Sequence, residues 1–146
     1  MIIKVLANQI PVFWETIKFA VKTVDNVKED SQQEYLNLLL QSLLSDKAQC
    51  FIIMNDERVL QALCITKILH DKALVKNYMY IHCLYAFHAV EENLWQKGLD
   101  AIHTFAKNND CAYISLSSMN KRIWDIVSTY GFEESERVFK LGIGGI

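Results

Sequence analysis

The spacing of apolar residues along this chain switches repeatedly between a period of two and a period near 3.6, a succession that strands alternating with amphipathic helices produce. Residues 1–6 are a short β-branched run and read as a first strand. Pro11 stands near the start of a helical pattern reaching Val24, with Ile10, Phe13, Trp14, Ile17 and Val21 three or four residues apart. Ser31 followed by Glu34 reads as a capping box, and residues 32–44 bring Tyr35, Leu36, Leu39, Leu40 and Leu43 onto one face. The period then falls to two. Residues 50–54 and 59–69, parted by Asn55-Asp56-Glu57, form an expected β-hairpin. Beyond the polar break His70-Asp71-Lys72, a third strand ends at Phe87. In it Met79, Ile81, Cys83, Tyr85 and Phe87 alternate with Tyr80, His82, Leu84 and Ala86. Both sets are largely apolar or aromatic, which predicts a central strand covered on two sides.

Helical spacing returns over residues 91–107, where Leu94, Trp95, Leu99, Ile102 and Phe105 or Ala106 form the stripe. Gly98 inside that stripe costs about 1 kcal/mol relative to alanine, so close packing is its expected purpose. Residues 111–116 read as a strand, 121–130 as a helix stopped by Gly131 in a left-handed cap, and 137–143 as a last strand. The expected order is β-α-α-β-β-β-α-β-α-β, an α+β fold with a mixed, mostly antiparallel sheet flanked by helices. No repeat or linker divides the chain, which reads as one domain over residues 1–146, with 142–146 a short glycine-rich hydrophobic tail.

Composition closes several functional classes. Three of the five glycines are Gly142, Gly144 and Gly145, leaving only Gly98 and Gly131 in the body, so a phosphate cradle built from clustered glycines is excluded. Fifteen Lys and Arg against seventeen Asp and Glu give a formal net charge of −2, which provides no electrostatic footprint for nucleic acid. No apolar run approaches the roughly twenty residues that span a bilayer, and the opening Met-Ile-Ile-Lys lacks the pattern of a secretory signal. A cytoplasmic setting without membrane contact is therefore expected. Cys50, Cys64, Cys83 and Cys111 lack the paired spacing of structural zinc sites, and no metal is expected. Their apolar surroundings predict unpaired core thiols.

Met119-Asn120-Lys121-Arg122-Ile123 leading to Tyr130-Gly131-Phe132, taken with the element order, resembles the GNAT superfamily of acetyl-CoA-dependent N-acetyltransferases. The resemblance implies a fold in which the coenzyme A pyrophosphate rests on backbone amides of a Gln/Arg-x-x-Gly-x-Gly/Ala loop at the start of the helix after the central strand. A gap-free alignment puts Val90, Asn93 and Trp95 on the three motif positions, and none of them matches. Glu91 and Glu92 would repel a pyrophosphate a few ångströms away by about 1 to 4 kcal/mol each, and Trp95 would fill the space that a glycine leaves open. The resemblance also implies a tyrosine as general acid seven residues after Asn120, where this chain has Val127; Tyr130 stands nearly one helical turn further on.

Two functions follow from this resemblance. In the first, the chain has lost productive acetyl-CoA binding, needs no cofactor and serves as a non-catalytic binding or structural module. It then resembles the GNAT-like virion-associated proteins of short-tailed bacteriophages in overall plan, and a virion location becomes the alternative to the cytoplasm. In the second, it is a divergent N-acetyltransferase acting on an amine of a small molecule or protein. Tyr85, Phe87, Asn93 and Asn120 would then contact acetyl-CoA, and His82 or His88 would be the base.

The bare residues leave alternatives open. His82 and His88 fit a general base at the end of the central strand, or hydrogen-bonded histidines on a half-buried strand. Tyr78, Tyr80, Tyr85, Phe87 and Trp95 fit a ligand cleft, a partner surface or core packing. The tail from Leu141 is a sticky end unless it docks on its own domain or on another subunit, so a protein partner or self-association is expected.

Overall fold

The computed structural model of the chain describes residues 1–144; Gly145 and Ile146, the end of the tail read in the sequence, lie outside the described residues. Strands β1 (Ile2–Lys4), β2 (Ala48–Met54), β3 (Leu60–Asp71), β4 (Lys76–Ala86) and β5 (Cys111–Leu116) form one sheet in chain order. Helices α1 (Ile10–Asp25), α2 (Glu29–Leu44), α3 (Glu92–Asn108) and α4 (Lys121–Thr129) flank it. Every neighbouring pair is antiparallel except β4 and β5, which run parallel with α3 as their crossover. The mixed α+β architecture expected from the periodicity is the one observed. None of the described helices is long and apolar enough to cross a membrane.

Short polar side chains set the turns. Asn55 Oδ1 accepts the backbone N–H groups of Glu57 at 3.0 Å and Val59 at 2.9 Å, and Asp71 Oδ1 does the same for Ala73 and Leu74, so each hairpin turn carries its own Asx bonds. Asn120 caps α4 by accepting the Arg122 N–H at 2.9 Å. At the other end Gly131 takes φ +92°. Its N–H reaches the Ser128 carbonyl and the Phe132 N–H reaches that of Val127, the paired bonds of a Schellman cap. Gly98 admits close packing as expected, since a Cβ there would stand 3.1 Å from Ile53 Cδ1.

Two cores lie on opposite faces of the sheet. Ile17 and Val21 of α1 and Leu39 and Leu43 of α2 pack on Cys50, Ile52, Leu63, Ile65 and Cys83. Ile102 and Ala106 of α3 pack on Phe51, Cys64, Met79 and Ile81. The one buried polar pair within the sheet is satisfied, as Thr66 Oγ1 donates to Gln49 Oε1 at 2.9 Å. The cysteines are free, three of them buried; burial pushes the Cys50 and Cys83 thiols up to about 12.

Three local expectations are corrected. Helix α2 begins at Glu29 with Lys28 as its N-cap, so Ser31 lies in the first turn and the Ser31–Glu34 pair is not a capping box. Glu29 and Asp30 suit that helix end through the dipole instead. Residues 137–143 form no strand: alternation describes a tendency, and a strand exists only where a ladder partner takes its backbone groups. The third correction concerns β4. Ile65 pairs with Cys83 and Thr66 with Ile81, so His82 is an extra residue opposite no partner, a β-bulge. The bulge reverses the alternation. Met79 and Ile81 belong to the α3 face, while Cys83 and Tyr85 belong to the α1/α2 face.

Candidate functional site

The bulge places His82 where β4 parts from β5, because the parallel pairing ends at Ile81 and Leu116. The His82 ring turns toward the helices on the α1/α2 face. His82 Nε2 lies 2.9 Å from Asp25 Oδ2 and 2.6 Å from the Tyr35 hydroxyl, and that hydroxyl donates to the same Asp25 oxygen. Tyr35 also stacks on the His82 ring. Sequence reasoning missed both partners, which stand 57 and 47 residues from His82. One signal was present: a tyrosine in an apolar helical stripe needs a polar partner for its hydroxyl.

The three groups hold one another in defined states. Burial pushes the Asp25 carboxyl up, but the bonds from His82 and Tyr35 outweigh it and hold the carboxyl below its usual range, helped by the charges of His82 and Lys67. Tyr35 is pushed well above the ordinary tyrosine range by burial and then by its bond to Asp25. Asp25 is the last residue of α1, where a carboxylate is disfavoured by the helix dipole; His82 and Lys67 offset that. His82 Nδ1 has no hydrogen-bond partner among the described residues, and no buried side-chain nitrogen or oxygen among them lacks one. Nδ1 is therefore open to solvent. With Nε2–H directed at Asp25, Nδ1 carries the free lone pair, the geometry of an oriented base.

On the opposite face, an apolar cavity of about 70 Å³ lies between the sheet, from β1 to β5, and helices α3 and α4. Ile81, Leu84 and Leu116 form its floor, Trp95, Gly98, Leu99 and Ile102 one wall, and Ile126, Val127, Tyr130 and Phe132 the other. Val127 and Tyr130 thus face the same space, one helical turn apart. Trp95 points into this cavity, so its indole packs toward the sheet.

The remaining residues singled out in the sequence do not converge. Tyr85 and Phe87 pack with each other and with Phe19 of α1, on the face away from the cavity. Asn93 is exposed in the first turn of α3. Asn120 is engaged as the cap of α4, and His88 is exposed beyond the end of β4. Tyr78 stacks on Tyr113 of β5 at 4.9 Å. Among the described residues no group of three His, Cys, Asp or Glu is placed to hold a metal.

The start of α3 has some means of holding an anion, since no side chain caps it and its first amides stay open. Exposed Glu91 and Glu92 flank those amides, and the adjoining cavity is far below the roughly 300–1,000 Å³ of small-molecule sites. Glu91 and Glu92 thus stand where the resemblance puts the pyrophosphate of coenzyme A.

No protein-family model matches the sequence, and no curated protein does. Solved structures do resemble it. A probable acetyltransferase aligns with 100% of this chain and 99% of its own at 12% identity and a TM-score of 0.77. A predicted acetyltransferase from Clostridium acetobutylicum, solved with acetyl-CoA, aligns over 97% of this chain and 95% of its own at 15% identity and a TM-score of 0.73. An aminoglycoside N-acetyltransferase in complex with CoA aligns over 99% and 95%, at 17% identity and a TM-score of 0.73. Identities this low speak for architecture alone: the chain has the fold of the GNAT acetyltransferases.

Proposed function

We propose that this chain is a binding module built on the GNAT fold, one that has lost productive acetyl-CoA binding and acts through contact with protein. The observation that carries this reading is the apolar surface after α4, where Val138, Phe139, Leu141 and Ile143 are 70%, 89%, 85% and 82% exposed. Exposed apolar residues gathered in this way mark association surfaces. The unsuited start of α3 supports the same reading from the cofactor side. A place in a phage particle rests on the sequence plan alone. The deciding experiment is a thermal-shift titration with millimolar acetyl-CoA, for which no shift is expected. A rise of several degrees, or a calorimetric Kd below about 100 μM, would sink the reading, because a ligand at ten times its Kd already stabilises by about 1.4 kcal/mol.

A second reading is favoured by the Asp25–His82 pair. In a divergent N-acetyltransferase acting on an amine, acetyl-CoA would supply the acyl group. His82 Nδ1 would take the amine proton, with Asp25 fixing the ring and Tyr35 holding the carboxylate. Under that reading Asp25→Asn lowers turnover by about 10²-fold or more while leaving acetyl-CoA affinity unchanged. An acetylation assay over a panel of amines measures both, and turnover by the wild-type chain would establish this reading over the first.

A further inference from the structure

Helix α4 is held differently from the other three. α1, α2 and α3 each bury side chains, whereas α4 buries none, and its Ile126 and Val127 line the cavity of about 70 Å³. The lining is carbon almost throughout. Aliphatic and aromatic side chains supply most of it, Gly98 adds a bare stretch of α3, and the only polar side-chain groups along it are the Cys64 thiol, the Trp95 N–H and the Tyr130 hydroxyl. These three come from the floor and from opposite walls. A buried water keeps two to four polar partners, and an apolar cavity walled by Leu, Ile and Phe stays dry. Atoms that face a dry, unfilled space forfeit the dispersion contacts they would make there, so an uncharged group of matching size gains by entering.

We propose that this cavity is a binding site for a short unbranched hydrocarbon chain of about three or four carbons, and that filling it seats α4 against the sheet. The site requires neither acetyl-CoA nor a protein partner, so it is independent of the module reading. Its size sets the length of the chain. An apolar cavity of about 150 Å³ takes benzene, with six carbons; at about 70 Å³, close to half of that, room remains for three. A fourth follows where α4, with no buried side chain to anchor it, gives way slightly. Chemistry sets the class. No lining residue carries a charge, so a carboxylate or ammonium drawn inside would lose its hydration without a partner. The part of the ligand that enters is therefore uncharged, and any head group stays at the mouth.

Methyl NMR spectra of the full chain in buffer equilibrated with propane read the site directly. The signals of Ile81, Leu84, Leu99 and Ile102, which line the cavity, should shift in a saturable way, while those of Ile17, Leu39 and Leu43 on the opposite face stay in place. Amide exchange along α4 should slow about threefold or more as its seat fills. Val127→Leu puts a methylene of its own into the space and should raise the propane Kd about fourfold, the equivalent of one buried CH₂. Ile126→Ala enlarges the space and should admit benzene, to which the native cavity stays closed. A matching response to 1-butanol would identify the ligand as the tail of a molecule with an uncharged head, and a response to propane alone would identify a free hydrocarbon. Lining methyls that do not move under propane, that move no more than those of the opposite face, or that receive magnetisation from buried water would overturn the site. A propane affinity untouched by Val127→Leu would overturn it as well, by placing the hydrocarbon elsewhere. Unchanged exchange along α4 at saturating propane would overturn the seating of that helix.

Discussion

The two faces of the sheet carry similar numbers of helices but differ in how completely they are closed. Under α1 and α2, Ile17, Ala20, Val21, Cys50, Ile52 and Ile65 are fully buried, and the one polar group among them, His82, is tied to Asp25 and Tyr35. Under α3 and α4, only Ile102 and Ala106 of the helices are buried, α4 buries no residue, and an apolar cavity remains. Dense interiors respond to lost atoms more strongly than loose ones, because a site that can collapse recovers part of the loss. Stability is thus concentrated on the first face, while the second retains freedom to move.

The same substitution on each face gives the sharpest contrast. Ile17→Ala is expected to cost about 3–5 kcal/mol, since the side chain is wholly enclosed. Ile126→Ala, beside the cavity and only half-buried, should cost about 1–2 kcal/mol. Urea unfolding of both variants at one pH measures the two values. Equal losses would mean that the α3/α4 face is as tightly closed as its opposite and would remove the contrast.

Polar closure of the first face makes a smaller prediction with a pH signature. Asp25→Ala leaves the Tyr35 hydroxyl and His82 Nε2 short of an acceptor, at a cost of about 1–3 kcal/mol near neutral pH. The Asp25 carboxyl is held below its usual value, so the folded state binds its proton later than the unfolded chain. Its contribution is complete above the unfolded value near 3.9 and is lost as pH falls through the folded one. The stability gap between wild type and variant should therefore narrow below about pH 4. A gap of the same size at pH 7 and pH 3 would show that Asp25 acts there through packing alone.

Why this cluster escaped the sequence, while much of the fold did not, follows from the range of the forces involved. The helix stop at Gly131 and the close approach at Gly98 depend on one residue's backbone or missing side chain, and both are legible one position at a time. The strands from Ala48 to Ala86 show as short apolar runs bounded by polar turns. The bulge does not, because placing one residue of β4 opposite none of β3 is a property of the pair. Alternation alone put Met79, Ile81, Cys83, Tyr85 and Phe87 on one face, and the bulge divides them. Asp25 reads locally as the polar end of a helix; its meaning comes from His82. The segment from residue 137 has the composition of a strand and lacks a partner among the described residues, so composition alone placed a strand there.

Filling the cavity tests the looser face from the other direction. Val127→Leu adds one methylene where about 70 Å³ stands open, and it should stabilise by about 0.5–1 kcal/mol. On the dense face the same enlargement, Val21→Leu at a position with no exposed surface, should destabilise by about 1–3 kcal/mol through overpacking. Opposite signs in a pair of thermal melts are expected. A destabilising Val127→Leu would mean that α4 is already seated at its closest approach.

The smallest effect falls where the two faces meet the same requirement, close packing of helix on sheet, on the looser side. Gly98→Ala removes the unfavourable backbone entropy of a mid-helix glycine, a gain of about 1 kcal/mol. It also places a Cβ 3.1 Å from Ile53 Cδ1, tighter than ordinary contact, although that atom is the end of a side chain that can turn. If α3 rests on a yielding face, Ile53 moves into the cavity whose lining it shares, and the gain survives in part, leaving the variant within about 0.5 kcal/mol of wild type. If the face is rigid, the overlap outweighs the propensity and the variant loses about 1 kcal/mol or more. Gly98→Ala with Ile53→Val separates the two, because shortening Ile53 relieves the contact. On the yielding face the double variant should lose only the usual Ile→Val cost of about 0.5–1.5 kcal/mol relative to Gly98→Ala. On a rigid face it should be more stable than Gly98→Ala alone, and that outcome would show α3 to be as firmly seated as α1.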